Sequence, residues 1–349
     1  AHEGFTENGG FNAALIRRRI RTSHLKKEDF SIGAQSKTEV SIMYLDNVVR
    51  PDVLDTLRRR LSKIKINGVL DSGYVEMFIQ DGRFSVYPTA GNSERPDKVA
   101  AKILEGRVAV IVDGSPVVHT VPYLFCEGFQ VTEDYSKSTY FATFERILRF
   151  FGTVLSLFLP AFFIVECKYP DFAPSGFSEY IAKARENIKI PVLMEVLLVF
   201  LVFELVREVG LRMPKAVGSA VGIVGSLVLG DSAVEAGIIS APVLIVVAFA
   251  AVGNFLCPPY MNANVIYRAV LIFAAGFFGI FGFFAAVCVS VALFCSKYSF
   301  GTPYLYPLAP FSLYGQLDYV LMMPLSKQKI IPTALSGKKI RRVGGENEK

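Results

Sequence analysis

Histidine and paired cysteine, the usual ligands of structural metals, are scarce in this sequence. The three histidines, His2, His24 and His119, are scattered, and the five cysteines at 126, 167, 257, 288 and 295 form no C-x-x-C pair. A zinc or iron site is therefore not expected. Four of the cysteines lie in or beside apolar runs, which predicts buried, inert thiols. A Walker loop, a nucleophile elbow and a G-x-G-x-x-G turn are also missing. With no such signature, the sequence offers no catalytic residue and no cofactor site, and an enzyme is not the expectation. Nor is there an export signal: the first apolar cluster, Ala13 to Ile16, is far shorter than a signal core and runs into Arg17, Arg18, Arg19 and Arg21. The front of the chain is expected to face the cytoplasm.

Charge is the other shortage. Charged residues make up 19% of the chain against 52% hydrophobic, with a mean hydropathy of +0.40, too apolar for an ordinary soluble protein of this length. The charges crowd the stretch before about Phe150, and long uncharged runs dominate from there to about Phe294. The expectation is an α/β soluble N-terminal domain over residues 1–144, followed by an all-α polytopic transmembrane domain over 145–300. A C-terminal segment, 301–349, ends in a basic tail with Lys338, Lys339, Arg341 and Arg342.

Within the front domain, Glu39 to Leu45 sets Val40, Ile42 and Tyr44 against Glu39, Ser41 and Met43, the period of two of a strand. Pro51 opens an amphipathic helix through Val53, Leu54, Leu57, Leu61 and Ile64. Pro96 starts a second helix, Asp97 to Glu105, which Gly106 ends. Arg107 to Val112, then Asp113-Gly114, then Val117 to Val121 read as a β-hairpin. The four arginines at 17, 18, 19 and 21 resemble a patch for nucleic acid or lipid headgroups, or else a solvated helix face against a neighbouring subunit; the second reading is preferred.

Ile147 to Val165 is long enough to cross a bilayer core. The loop from Lys168 to Lys189, with a helical piece around Tyr180 to Glu186, is expected on the far side. Further apolar runs follow at Pro191–Gly210, Ala216–Gly230, Ala241–Leu256 and Val270–Phe294. A basic front domain and a basic tail both read as cytoplasmic, which requires an even number of crossings. With five runs visible, either 191–210 or 216–230 fails to cross fully, or a sixth element lies near Pro303 to Leu313.

Two groups of residues stand out. In the short run, Ser219, Gly222 and Ser226 form a small polar stripe, and Val217, Val221, Val224 and Val228 a valine stripe on another side. Either could line a pore if copies are arranged in a ring, whereas Gly218 and Gly222 equally allow close helix packing. Glu195, Glu204, Arg207 and Glu208 sit in the preceding apolar run, where charge is costly unless paired or hydrated. They are candidates for a vestibule or for a structural ion-pair cluster. Asp231 and Glu235, one helical turn apart, would gather cations at one mouth of a pore, or else belong to a solvated loop.

Several blocks together resemble the A-subunit family of bacterial spore germinant receptors, the GerA family. They are EGFTEN (Glu3 to Asn8), ALIRRRI (Ala14 to Ile20), SKTEV (Ser36 to Val40), ERPDKVAAKILEGRVAVIVDGSP (Glu94 to Pro116), FELVREVGLRMPKAVGSAVGIVGSLVLGDSAVEAGIIS (Phe203 to Ser240) and SFGTPYLYPLAP (Ser299 to Pro310). The resemblance implies a multi-pass subunit in the spore inner membrane, working beside a transporter-like B subunit and a lipoprotein C subunit. It also implies a pentameric ring of A subunits acting as a nutrient-gated cation channel that triggers germination, which gives the 216–230 stripes weight as pore lining. Membrane lipid and other copies of itself are the expected partners, and nucleic acid is not. A non-conducting scaffold or a small-solute transporter subunit of the same complex is the alternative. Two departures stand out: Pro258-Pro259-Tyr260-Met261 replaces a P-S-Y-E type turn, so no acid role carries over there, and Gly9 and Gly10 follow the F-T-E-N block, which predicts a looser first helix. The family's further N-terminal subdomain is not contained in this sequence.

Overall fold

A computed structural model describes residues 3–82, 85–170, 175–212, 230, 232–316, 318, 319, 321–324 and 331–337. The chain divides into two compact units, one made of residues 1–147 and 293–349, the other of residues 148–292.

The first unit is built on a five-stranded antiparallel sheet of β1 (Leu25–Ile32), β2 (Thr38–Leu45), β3 (Gly91–Ser93), β4 (Val108–Val112) and β5 (Val118–Val121), in the order β1-β2-β4-β5-β3. Alternation in the central strands serves two cores. Val40, Ile42 and Tyr44 of β2, with Val108, Val110 and Val112 of β4, meet α2 (Pro51–Ser62) and α3 (Ser72–Ile79) through Val53, Leu57, Leu61, Val75 and Ile79. Met43, Leu45, Ala109 and Ile111 on the other face meet α1 (Gly9–Arg19) and α4 (Pro96–Leu104) through Leu15, Ile16, Val99 and Ile103. Because helices cover both faces, β4 is buried at every position and reads as an unbroken apolar run rather than an alternating one.

The helix and strand starts follow from local chemistry. Pro51 and Pro96 each occupy the first turn of their helices, where a missing N–H costs nothing. Gly106 takes φ +96° just beyond α4, a left-handed cap that a side chain resists. The helix α1 begins at Gly9, whose N–H donates to Asp113 Oδ1 at 2.8 Å, and Asn8 caps it by accepting from the Phe11 N–H at 2.8 Å. The two glycines therefore belong to a docked and capped helix start. Of the arginine run, Arg18 and Arg19 pair with Glu3 at 2.6 and 3.0 Å.

The C-terminal segment completes this unit. The two-residue strands β6 (Tyr298–Ser299) and β7 (Thr302–Pro303) form a small hairpin. Ser299 Oγ accepts from the Tyr123 N–H at 2.9 Å and donates to the Thr89 carbonyl at 2.8 Å. Phe300 enters one core and Ile331 the other. Tyr304 and Tyr306 are buried here and residues 304–311 run in turns, so Pro303 to Leu313 is not the sixth apolar helix considered above.

The second unit is helical: α5 (Thr139–Lys168), which starts in the first unit, then α6 (Ser175–Arg185), α7 (Val192–Arg212), α8 (Ala241–Asn254) and α9 (Met261–Cys295). Phe163, Ile164, Val196, Val199, Val243, Val247, Leu271 and Ala275 form its core. Small residues set the closest approaches. A Cβ on Gly253 would lie 2.8 Å from the Gly152 carbonyl oxygen, and one on Gly276 would run into the Leu193 side chain. Two helices, Thr139–Lys168 and Pro258–Cys295, are long and apolar enough to cross a membrane, and Ala241–Asn254 is a shorter apolar helix. Phe277, Phe278 and Phe281 point outward from α9, the arrangement expected of a helix facing lipid or another apolar surface. Cys288 and Cys295 are exposed on the same helix, unlike the buried thiols expected. Cys126 and Cys257 are buried.

Candidate functional site: charges inside the helical unit

α7 carries the charges that its apolar sequence cannot easily accommodate, and the structure separates them into distinct groups. Glu195, in the first turn, is 1% exposed. Its Oε1 accepts from both the backbone N–H and the hydroxyl of Ser240, each at 2.6 Å, and its Oε2 accepts from Arg185 Nε at 3.1 Å. Ser240 precedes the first turn of α8 and Arg185 ends α6. One carboxylate thus joins three helices, and both its oxygens are satisfied, the condition under which a buried charge is tolerated.

Glu204 and Arg207 form an i,i+3 pair at 2.7 Å. Arg268, from α9, lies 3.9 Å from Glu204 and is 1% exposed. Its Nε donates to the Ser156 carbonyl at 2.7 Å and its Nη2 to the Ala250 carbonyl at 3.1 Å, and its guanidinium sits 5.9 Å from the centre of the Phe200 ring. Ser156 Oγ itself donates to Ala250 O at 2.7 Å. The group therefore ties α5, α7, α8 and α9 together. Arg207 and Arg268 both face the Glu204 carboxylate. Glu208 pairs instead with Arg212 at 2.6 Å on an exposed surface, so it does not join Glu204 and Arg207 in a single cluster. Glu235 is exposed on a single helical turn, Ala233–Glu235. Val217, Ser219, Val221, Val224, Ser226, Val228 and Asp231 lie outside the described residues.

Two charged residues of this unit escaped the sequence reading. Arg268 stands just ahead of the apolar run that begins at Val270, and Glu166 just behind the one that ends at Val165. Both flank their runs, where charge is unremarkable, yet both are buried. The available signal is that each continues the helix of the adjoining run.

In the first unit the internal charge is concentrated at Glu127. It accepts from Arg107 Nε and Nη2 at 3.0 and 2.7 Å and from the Leu124 N–H at 3.1 Å, and it pairs with Lys102 at 2.8 Å. Burial alone would push its carboxyl up, but the Arg107 and Lys102 cations outweigh that and hold it below the usual glutamate range. Burial pushes the neighbouring Cys126 thiol up to about 12, aided by the Glu127 charge, which makes it a poor nucleophile at neutral pH. Among the described residues no group of three or more His, Cys, Asp or Glu could hold a metal ion.

The chain thus combines a two-faced α/β sandwich with two helices long and apolar enough to cross a membrane. The chain belongs to the family described as Bacillus/Clostridium GerA spore germination protein, which it matches over residues 1–334. It is 41% identical over 314 residues to the uncharacterized membrane protein YfkQ of Bacillus subtilis (strain 168), covering 89% of this chain and 61% of that one. Spore germination protein KA of the same organism is 38% identical over 338 residues, covering 96% and 62% respectively. Spore germination protein GerLA of Bacillus cereus is 34% identical over 339 residues, covering 96% and 69%. Among solved structures, the N-terminal domain of the A subunit of the Bacillus megaterium spore germinant receptor GerK3 is 44% identical, covers 35% of this chain and 98% of that one, and superposes with a TM-score of 0.30. The chain spans 61% and 62% of the length of YfkQ and spore germination protein KA.

Proposed function

We propose that this chain is the membrane subunit of a spore germinant receptor and assembles into a pentameric ring that conducts cations across the spore inner membrane when nutrient is sensed. A transporter-like B subunit and a lipoprotein C subunit are its proposed partners. The observation that carries the receptor assignment is the family match running unbroken through both units, from the sandwich to the C-terminal return. The conducting path is assigned to residues 216–230, with Val217, Val221, Val224 and Val228 or Ser219 and Ser226 on its inner side and Asp231 and Glu235 at its mouth. Glu195, Glu204 and Arg207 then brace the helices around the path.

The test is to purify the chain in detergent, image single particles, and measure cation flux after reconstitution for the unaltered protein and for Val221→Ala and Val224→Ala. A closed ring with a leak raised by either substitution is the expected result. A ring that never conducts overturns the channel and leaves a scaffold, and a monomer overturns self-assembly of this chain.

A further inference from the structure

The end of α5 and the start of α6 enclose a cavity of about 210 Å³, lined by Glu166, Cys167, Pro170, Ser178, Ile181, Ala182 and Arg185. It has room for several waters or one small organic molecule. Its inner end is Glu166, 3% exposed, and Ile181, while Pro170 and Ala182 at its rim are exposed to solvent. Glu166 Oε1 accepts from Ser178 Oγ at 2.7 Å, and the same hydroxyl lies 2.8 Å from the Pro170 carbonyl oxygen. Glu166 Oε2 is buried with no hydrogen-bond partner. An ionised oxygen left without a donor at such depth is costly, and its natural remedy is a cationic donor.

The charges around the cavity set the sign of that ligand. Arg185 donates through Nε to Glu195 and through Nη2 to the Ile190 carbonyl, so its charge is already balanced by a carboxylate. Of the two charged residues that line the cavity, Glu166 is the one without an ion-pair partner among the described residues. Its wall includes Ile181, Ala182 and Pro170, apolar surface that suits a short hydrocarbon stem.

We propose that this cavity binds a small primary ammonium compound, whose N–H groups donate to Glu166 Oε2 while its alkyl part lies against Ile181 and Ala182. A ligand seated there would bear on α5 and α6 together, and through Arg185 and Glu195 on α7 and α8. The inference stands on the cavity alone and does not require a ring or a conducting path.

The test is titration of the full chain in detergent with ethylammonium and propylammonium, followed by calorimetry and thermal unfolding. Tetramethylammonium, which has the charge but no N–H, and potassium serve as comparison cations. Saturable binding of the primary amines is expected, weakened roughly tenfold or more in Glu166→Gln and abolished in Ala182→Phe, which fills the mouth from an exposed position. Tetramethylammonium should not bind. The proposal is overturned if neither amine binds saturably, if potassium or tetramethylammonium binds as well as they do, or if Ala182→Phe leaves binding intact. The last variant keeps the test decisive should Glu166→Gln fail to fold.

Discussion

Glu127 holds its place in the first unit by accepting from Arg107 and from the Leu124 amide and by pairing with Lys102, and it makes the stability of that unit depend on acidity. Its carboxyl titrates below the ordinary value in the folded chain. Above the ordinary glutamate value of about 4.3 the carboxyl is ionised in both states and the full contribution is present. As pH falls below that value the unfolded chain takes up the proton first, so stability drops until the depressed folded value has been passed. Denaturant unfolding at pH 7 and at successively lower pH should show the loss in the unaltered protein. Glu127→Gln should be less stable at pH 7 and should lack that part of the pH dependence. The charged residues of α7 also have partners, and the sequence pattern shows only some of what they do. Glu195 and Glu204 stood out because apolar neighbours surround them, whereas the role of Glu195 depends on Ser240 and Arg185, 45 and 10 residues away, and no spacing rule connects those positions.

At the scale of elements, α9 is two helices joined across Gly279, which takes φ 62° and ψ −143°. That conformation is nearly restricted to glycine, and a Cβ there would lie 2.7 Å from the Tyr169 hydroxyl. Gly279→Ala should therefore lower stability by about 1–3 kcal/mol, measured as a shift in the denaturant midpoint of the detergent-solubilised chain. Gly276→Ala makes a useful comparison, because its added methyl meets the Leu193 side chain without a left-handed backbone, so any penalty there comes from packing. Which elements could be foreseen follows a simple physical line. The β4–β5 hairpin and the helices opened by Pro51 and Pro96 carry their signals locally, in apolar strands and prolines at helix starts. The edge strand β1, LKKEDFSI, is buried only at its two ends and resembles a polar loop. The break at Gly279 lies inside an uninterrupted apolar run, where nothing local distinguishes a kink from a straight helix.

For the whole molecule, the decisive fact is that residues 293–349 join residues 1–147 in one compact unit. The sequence pattern does not announce this, because the return is made by a hairpin of two-residue strands, by docked side chains such as Phe300 in one core and Ile331 in the other, and by the bonds of Ser299, rather than by a long periodic element. Phe300→Ala should cost the first unit about 3–5 kcal/mol, as large an effect as a core substitution within the sheet itself. Ending the chain at Ala292 should speed hydrogen exchange at the Tyr123 and Phe125 amides, whose acceptors are Ser299 Oγ and the Tyr304 carbonyl. Unchanged exchange at both amides would show that the return is not needed to hold that edge.

The same return imposes an order on biosynthesis. A ribosome delivers residues 1–147 first and the helices of 148–292 next, and only then the chain that carries Phe300 and Ile331. Throughout the interval in which the apolar helices must find their place, the sandwich has its sheet but lacks a residue in each of its cores. Domains generally fold as they emerge, and incomplete ones are prone to misassembly. Final maturation of the first unit is thus deferred until the chain beyond Ile331 has been made.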